Sequence, residues 1–435
     1  MWYEESVFYQ MNLFGFCQVP EYNDGVLTRR IEKVSRWIPH MVRLGVNAVY
    51  FCPFFQSDAH GYDTRDFLEL DCRLGTNEDL ELLCRQLHDA GIRIVFDGVF
   101  HHVGRGFWAF QDVLKNREQS PYKDWFFIDF NRNDGYQDGL WYEGWEGHYE
   151  LVKLNLYHPQ VKEYLFSCVG QWMERYHIDG LRLDVAYMVE PDFLKELRQY
   201  CLKRNPEFFL LGEMIHGDYN RLVNDEMLHS ATNYECYKGL YSSFNSMNLF
   251  EIGHSLQRQF GSDPWCLYRG KHLFSFADNH DVTRVASELT NPRHLPLLYA
   301  LLLAMPGIPC IYYGSEWGAK GEKRQGDSAL RPAFDQPEWN ELTDFISKCI
   351  HIHKNSPALC YGDFRIALMT NRQLIIERRC QDQQMLIAVN ADENDYMAHF
   401  DARAGRARDL LTGDVHDFGG GSLLPALSAF YWEVF

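Results

Sequence analysis

Four apolar stretches of about strand length run into acidic residues: Asp97 in DGVFHH, Asp184 in GLRLDVA, Glu213 in FFLLGEM and Asp281 in FADNHD. Helix-like segments separate several of them. A parallel barrel produces this pattern, because all its strands end on one rim and its chemistry is kept there. Three carboxylates reaching one pocket from different strands are the equipment for cleaving a glycosidic bond.

The surrounding periodicity supports a barrel. VFYQMNLF (7–14), GVNAVYFCP (45–53), IRIVFD (92–97), IDGLRLD (178–184) and EFFLLGE (207–213) read as the first five strands. ATNYEC (231–236), HLFSFAD (272–278) and GIPCIYY (307–313) are weaker candidates for strands six to eight. Between them, apolar residues fall at helical spacing. Examples are Ile31, Val34, Ile38 and Met41, with Pro39 starting or kinking that helix, and Val161, Leu165, Cys168, Trp172 and Tyr176. Eight strands each followed by a helix is an α/β fold, a (β/α)8 TIM barrel.

Two stretches break the rhythm. Residues 103–155 are rich in Gly, Asp, Trp and Tyr, with helical period only near Trp108. An excursion of that length after strand three is a functional loop or a small inserted subdomain. After about residue 358, RIALMTN, QLIIERR, QMLIAVNA and LSAFYWEVF are short, β-rich and separated by turns, which predicts an antiparallel sandwich. The expected division is therefore 1–102 and 156–357 for the barrel, 103–155 for the insert and 358–435 for the C-terminal domain.

Composition removes several function classes. A net charge of -18 leaves no broad basic face for nucleic acid. Twelve scattered cysteines without a CxxC pair exclude a zinc ribbon and a disulfide-dense module. No run has the length of a membrane span, and the first residues, MWYEESVFYQ, lack a secretory pattern, so the expectation is a cytoplasmic protein with no membrane partner.

The chain resembles the α-amylase superfamily of retaining α-glucan enzymes over nearly its whole length. DGVFHH, GLRLD, GEM and FADNHD are similar to its four signatures in order. GYDTRDF (61–67), LVKLNL (151–156) and GIPCIYYGSEWG add three further motifs, and YEGWEGHYELVKLN leans toward the intracellular cyclomaltodextrinase, neopullulanase and maltogenic amylase branch. That branch often carries an extra N-terminal β domain, for which a first strand beginning near residue 7 leaves no expectation here.

The resemblance implies a role for each matched residue. Asp184 is the expected nucleophile, with Arg182 two residues earlier keeping it ionised. Glu213 is the expected acid/base, its pKa raised by the apolar FFLLG before it and Met214 after it. Asp281 is the expected transition-state stabiliser. His102 and His280 are expected to bond sugar hydroxyls, Tyr62 to stack on the sugar being cleaved, and Asp97 to buttress the group. Taken singly, an Asp at a strand end is more often a cap or turn former. Arg284 is expected as a buried structural pair and Glu316 as a shaper of the rim, while Trp108 and Trp145 suit either sugar stacking or packing.

Departures from the family pattern shape the remaining expectations. His101 stands where many amylases have a calcium-ligating Asn, and imidazole is a poor partner for a hard cation, so no metal or other cofactor is expected. Val185-Ala186-Tyr187 after the expected nucleophile and Ile215-His216 after Glu213 replace residues that contact the next sugar. The expected activity is hydrolysis of α-1,4 bonds in soluble maltooligosaccharides, with cyclodextrins as related substrates. The alternatives are a 4-α-glucanotransferase or glucosyl isomerase on the same scaffold and, more remotely, a non-catalytic binding relative.

Overall fold

The computed structural model describes all 435 residues. Eight strands, β1 (Phe8–Met11), β2 (Ala48–Phe51), β3 (Arg93–Gly98), β4 (Gly180–Leu183), β5 (Phe209–Gly212), β6 (Ser230–Ala231), β7 (Phe274–Phe276) and β8 (Ile308–Tyr312), form one parallel sheet in the order 6-5-4-3-2-1-8-7. A parallel bridge from Thr232 to Phe274 joins the two ends and closes the barrel.

Strand residues alternate between the lumen and the surrounding helices, as a period of two requires. Phe8, Ala48, Val95, Phe209, Phe274 and Ile308 meet inside the barrel, while Tyr9, Val49, Ile94, Leu181 and Leu210 pack outward. The short 3-10 helix Trp2–Glu5 closes the N-terminal mouth, with Tyr3 stacked on Phe209 at 4.4 Å. One step further along each strand the inward set turns polar, with Gln10, Asp97, Arg182 and Glu213 all buried. The barrel therefore has an apolar floor and a charged upper layer.

The excursion after β3 opens on a strand, His102–Gly104, paired antiparallel with Leu151–Lys153 of the strand that returns to the barrel. It holds one helix of some length, Trp108–Asn116. Trp108 sits edge-on to Tyr122, Trp125 and Tyr164, so its ring belongs to packing.

At the C-terminus, six antiparallel strands from Asp363 to Val434 form a sheet whose one face docks on the barrel through Arg378 and Tyr431. These two donate to the carbonyls of Ala304 and Ala300. The other face is covered by two paired strands, Tyr396–Ala398 and Ser422–Leu424, around Ile375, Leu386, Leu424 and Trp432. The second layer of the sandwich is thus only two strands wide.

Two local expectations are corrected, and one left open between two alternatives is decided. The stretch 7–14 is strand only to Met11, because Asn12 caps a helix over Leu13–Phe16 by accepting from Gly15 N. The stretch 231–236 is strand only to Ala231, because Asn233 caps the helix Tyr234–Ser246. Pro39 starts the helix Ile38–Leu44 and does not kink it.

Candidate active site

A cleft of about 1680 Å³ opens at the C-terminal ends of the strands. Asp184, Glu213, Asp281, Tyr62 and His102 line it, and so do Trp145 and Val185. Asp97, Arg182 and His280 lie buried just beneath.

Register creates the central ion cluster. Arg182 on β4 is the direct neighbour of Asp97 on β3, and both point into the lumen. Its Nη1 lies 3.1 and 3.0 Å from the two Asp97 oxygens and donates to Asp184 Oδ1 at 2.7 Å. Its Nη2 reaches Glu213 Oε1 at 2.9 Å. One guanidinium thus touches three carboxylates, the two terminal nitrogens of its planar fork being divided among them. Tyr50 on β2 donates to Asp97 Oδ2 at 2.6 Å and holds that carboxylate from the other side.

Burial raises all three carboxylates, against the opposing charge of Arg182. Asp97 is pushed up to about 6, and Asp184 and Glu213 to about 7 each. Because they share a single cation, they titrate as a cluster, and protons belong to the group before they belong to a residue. Glu213 has a second donor: Val185 N reaches its Oε2 at 2.9 Å. Val185 points that N–H there by adopting a left-handed conformation (φ 39°, ψ 43°), a strained state for a β-branched residue.

Asp281 behaves differently. Its side chain is 36% exposed. Burial still pushes its carboxyl up, but His280, Arg331 and Arg182 outweigh that and hold it below the usual range. Burial drives His280 itself down to about 3, against the opposing charge of Asp281. Arg331 Nη2 donates to Asp281 Oδ1 at 3.1 Å. The amide of Gln10 donates to His280 Nδ1 at 2.8 Å, which places the ring proton on Nε2, 3.1 Å from Asp281 Oδ2 and bonded to the Tyr62 hydroxyl. The Tyr62 hydroxyl is thereby tied to the His280 ring, to which the Tyr62 ring also lies parallel.

His102 is 2% exposed, and burial holds its pKa well below the ordinary value. Its Nδ1 lies 3.2 Å from His101 Nδ1, while its Nε2 has no partner in the protein and faces Asp184 Oδ2 at 3.8 Å. A buried ring nitrogen without a partner beside a cleft is poised for a ligand hydroxyl. Trp145 is similar: it lines the cleft with Nε1 unpaired, its ring 6.1 Å from that of His102.

The donors around His101 do not form an oxygen cage. Its Nδ1 is engaged by His102 and burial lowers its pKa to about 4. In the insert, Asp138 is bonded by Arg105, whose other terminal nitrogen is 3.6 Å from Asp134, so a guanidinium stands where those carboxylates would hold a cation. No cluster of three or more His, Cys, Asp or Glu side chains is disposed to hold a metal ion.

Two other expectations resolve. Arg284 is fully buried, donating to Tyr313 O and Ser315 Oγ, which in turn bonds Asp278. Glu316 does not shape the rim: it is fully buried between Tyr9 and His40, both 2.7 Å away. Sequence reasoning missed Gln10, Tyr50 and Arg331, and also Tyr234, which lines the cleft and whose hydroxyl accepts from Asn279 Nδ2 at 3.1 Å. The first two lie in recognised strands at inward positions, whereas Arg331 comes from an aperiodic loop that carried no signal.

The description "Alpha amylase, catalytic domain" matches residues 30–348. A cyclomaltodextrinase of a Bacillus species is 30% identical over 90% of this chain and 74% of its own. An intracellular maltogenic amylase of Bacillus subtilis is 33% identical over 85% of this chain, though only 62% of that relative is covered. The ligand-free cyclic α-maltosyl-(1→6)-maltose hydrolase of Arthrobacter globiformis superposes over 100% of both chains, with TM-score 0.85 and 25% identity. A closed parallel barrel, its carboxylates on the C-terminal rim and a family match over most of its length lead to one conclusion: the chain belongs to the α-amylase family.

Proposed function

We propose that this α-amylase family glycoside hydrolase cleaves α-1,4-glucosidic bonds in maltooligosaccharides and related soluble α-glucans with retention of configuration. The observation that carries the reading is the single guanidinium of Arg182 bridging Asp184 and Glu213. Carboxyls held by one fork stay a few ångströms apart, which favours the separation of about 5–5.5 Å of retaining enzymes over the roughly 6.5–9.5 Å of inverting ones.

In this scheme Asp184 attacks the anomeric carbon as Glu213 protonates the leaving oxygen, giving a covalent glycosyl ester. Glu213, now ionised, takes a proton from water, which opens the ester and regenerates both groups. Asp281, held charged, stabilises the oxocarbenium-like transition state, and His102 and His280 bond hydroxyls of the reacting sugar while the Tyr62 ring lies against it. The cleft volume exceeds the roughly 300–1,000 Å³ of a small-molecule pocket, which suits an oligomer.

The relatives' names, cyclomaltodextrinase and maltogenic amylase, support substrates of this class. No helix is long and apolar enough to cross a membrane. Free cysteines throughout and relatives named intracellular support a cytoplasmic location. The decisive experiment is incubation with maltose through maltoheptaose, β-cyclodextrin and pullulan, followed by product identification over time. Shorter α-anomeric products are expected. Longer oligomers beside the shorter ones would mark a transferase, and no turnover of any substrate would overturn the reading.

The rate should follow a bell-shaped pH profile. Catalysis needs Asp184 ionised and Glu213 protonated together, and burial raises both toward about 7. As pH rises, the first proton leaving the pair frees the nucleophile and the second removes the acid. kcat/KM should therefore climb on the acid side, peak near neutrality and fall in alkali. A profile flat from about pH 5 to about pH 9 would contradict this.

Activity should survive dialysis against EDTA, because Arg105 neutralises the acidic pair of the insert and His101 supplies a nitrogen where a hard cation needs oxygen. A melting temperature that rises by several degrees with calcium, and loses that rise when Asp129, Asp134 and Asp138 are substituted, would defeat the expectation.

A further inference from the structure

Arg73 lies outside the cleft and is fully buried, yet it touches the wall from behind. Its Nε and Nη2 grip Asp71 bidentately, each at 2.8 Å. The remaining hydrogens go to two separate loops. Nη1 donates to Pro20 O at 2.8 Å and Glu21 O at 3.3 Å, and Nη2 to Ala59 O at 2.9 Å and Ser57 Oγ at 3.1 Å. Its guanidinium also sits 4.7 Å from the ring centroid of Phe14. Phe14, Pro20, Glu21 and Ala59 all line the cleft. Asn23 adds a second stitch between the same loops: its N donates to Asp58 O and its Nδ2 to Ser57 O, each at 2.9 Å.

We propose that Arg73 is a positioning residue for substrate binding, locking the 19–23 and 57–60 loops into one wall that cradles the oligosaccharide. The structural reason is economy of contacts. These loops have no regular hydrogen-bonded ladder with each other, so their separation is fixed by the buried Arg73–Asp71 pair, whose carboxylate also accepts from Ser57 N, Ser57 Oγ and Asn23 Nδ2, and by Asn23 itself. The chemistry at Asp184 and Glu213 is held by β4, β5 and Arg182, which Arg73 does not touch. Its loss should therefore act on binding and spare the bond-breaking step.

The inference rests on the oligosaccharide reading above, and the test separates the two. Arg73→Lys keeps a cation beside Asp71 but loses the fork; Asn23→Ala removes the Nδ2 bonds to Ser57 O and Asp71 Oδ2 while leaving Arg73 in place. KM and kcat are measured with maltoheptaose, with melting curves to verify folding. KM should rise roughly tenfold in Arg73→Lys and about threefold in Asn23→Ala, with kcat within about twofold of the parent. If Arg73→Lys fails to fold, Asn23→Ala decides alone. Unchanged KM in the folded variants, or a fall in kcat without a rise in KM, overturns the proposal while the functional reading stands. A parent protein that neither binds nor cleaves maltoheptaose overturns both.

Discussion

Asp184→Asn and Glu213→Gln should each lower kcat by at least about a thousandfold while leaving the protein folded. The two substitutions are nearly isosteric, and in each variant Arg182 retains at least two carboxylate partners, so no buried cation is stranded. The chemical defects differ. Asparagine cannot form the glycosyl ester, so Asp184→Asn should stay inactive on every substrate. Glutamine cannot donate or accept the proton. A substrate with an already acidic leaving group needs no donor in the first step but still needs the base in the second. Glu213→Gln should therefore give a burst of leaving group followed by slow turnover on such an aryl glycoside. A folded Asp184→Asn variant with near-normal turnover would sink the nucleophile assignment, and absence of a burst would do the same for Glu213.

Most of the barrel was legible because strands one to five are short apolar runs, buried on both faces, with segments of helical period between several of them. Where reading failed, a local cap outweighed a β-prone composition. Leu13 and Phe14 look like strand residues, but Asn12 satisfies Gly15 N and turns the chain into a helix. Tyr234 and Cys236 were drawn into strand six for the same reason, while the Asn233 side chain accepts from Cys236 N. The two-residue strand β6 is too short for any period to register.

The site divides along a similar line. Asp184, Glu213, Asp281, Tyr62 and His102 line the cleft and Asp97, Arg182 and His280 lie just beneath it, because strand ends on one rim converge. What the sequence did not show were partners supplied across strands or by loops. Tyr50 reaches Asp97 because β2 and β3 are neighbours, and pairing order is not written in either segment. Arg331 reaches Asp281 because its backbone packs on a helix glycine: a Cβ on Gly15 would sit 2.1 Å from Arg331 O. Glu316 was placed at the rim because its motif follows the last strand, yet the chain folds it inward onto Tyr9 and His40.

Arg182 is where fold and chemistry meet, and its replacement should be costly to both. It is 3% exposed and carries the only guanidinium in contact with Asp97, Asp184 and Glu213. Arg182→Leu leaves three buried carboxylates facing one another, and breaking a buried pair of this kind costs about 3–5 kcal/mol. The carboxylates can escape part of that cost by taking up protons, which raises their folded-state pKa values further above those of the unfolded chain. The folded state then binds more protons than the unfolded state, so the deficit should be smallest in acid and grow as pH rises through neutrality. Arg182→Lys keeps the charge but replaces the two nitrogens that hold Asp184 and Glu213 separately by a single one on a flexible stem. It should fold, lose at least about a hundredfold in kcat, and show its acid limb displaced to higher pH because the nucleophile gives up its proton later. Melting curves at acid and alkaline pH, with pH–rate profiles of the lysine variant, check both halves. A lysine variant with parental kcat and an unmoved acid limb would mean that the guanidinium does not set the protonation of Asp184.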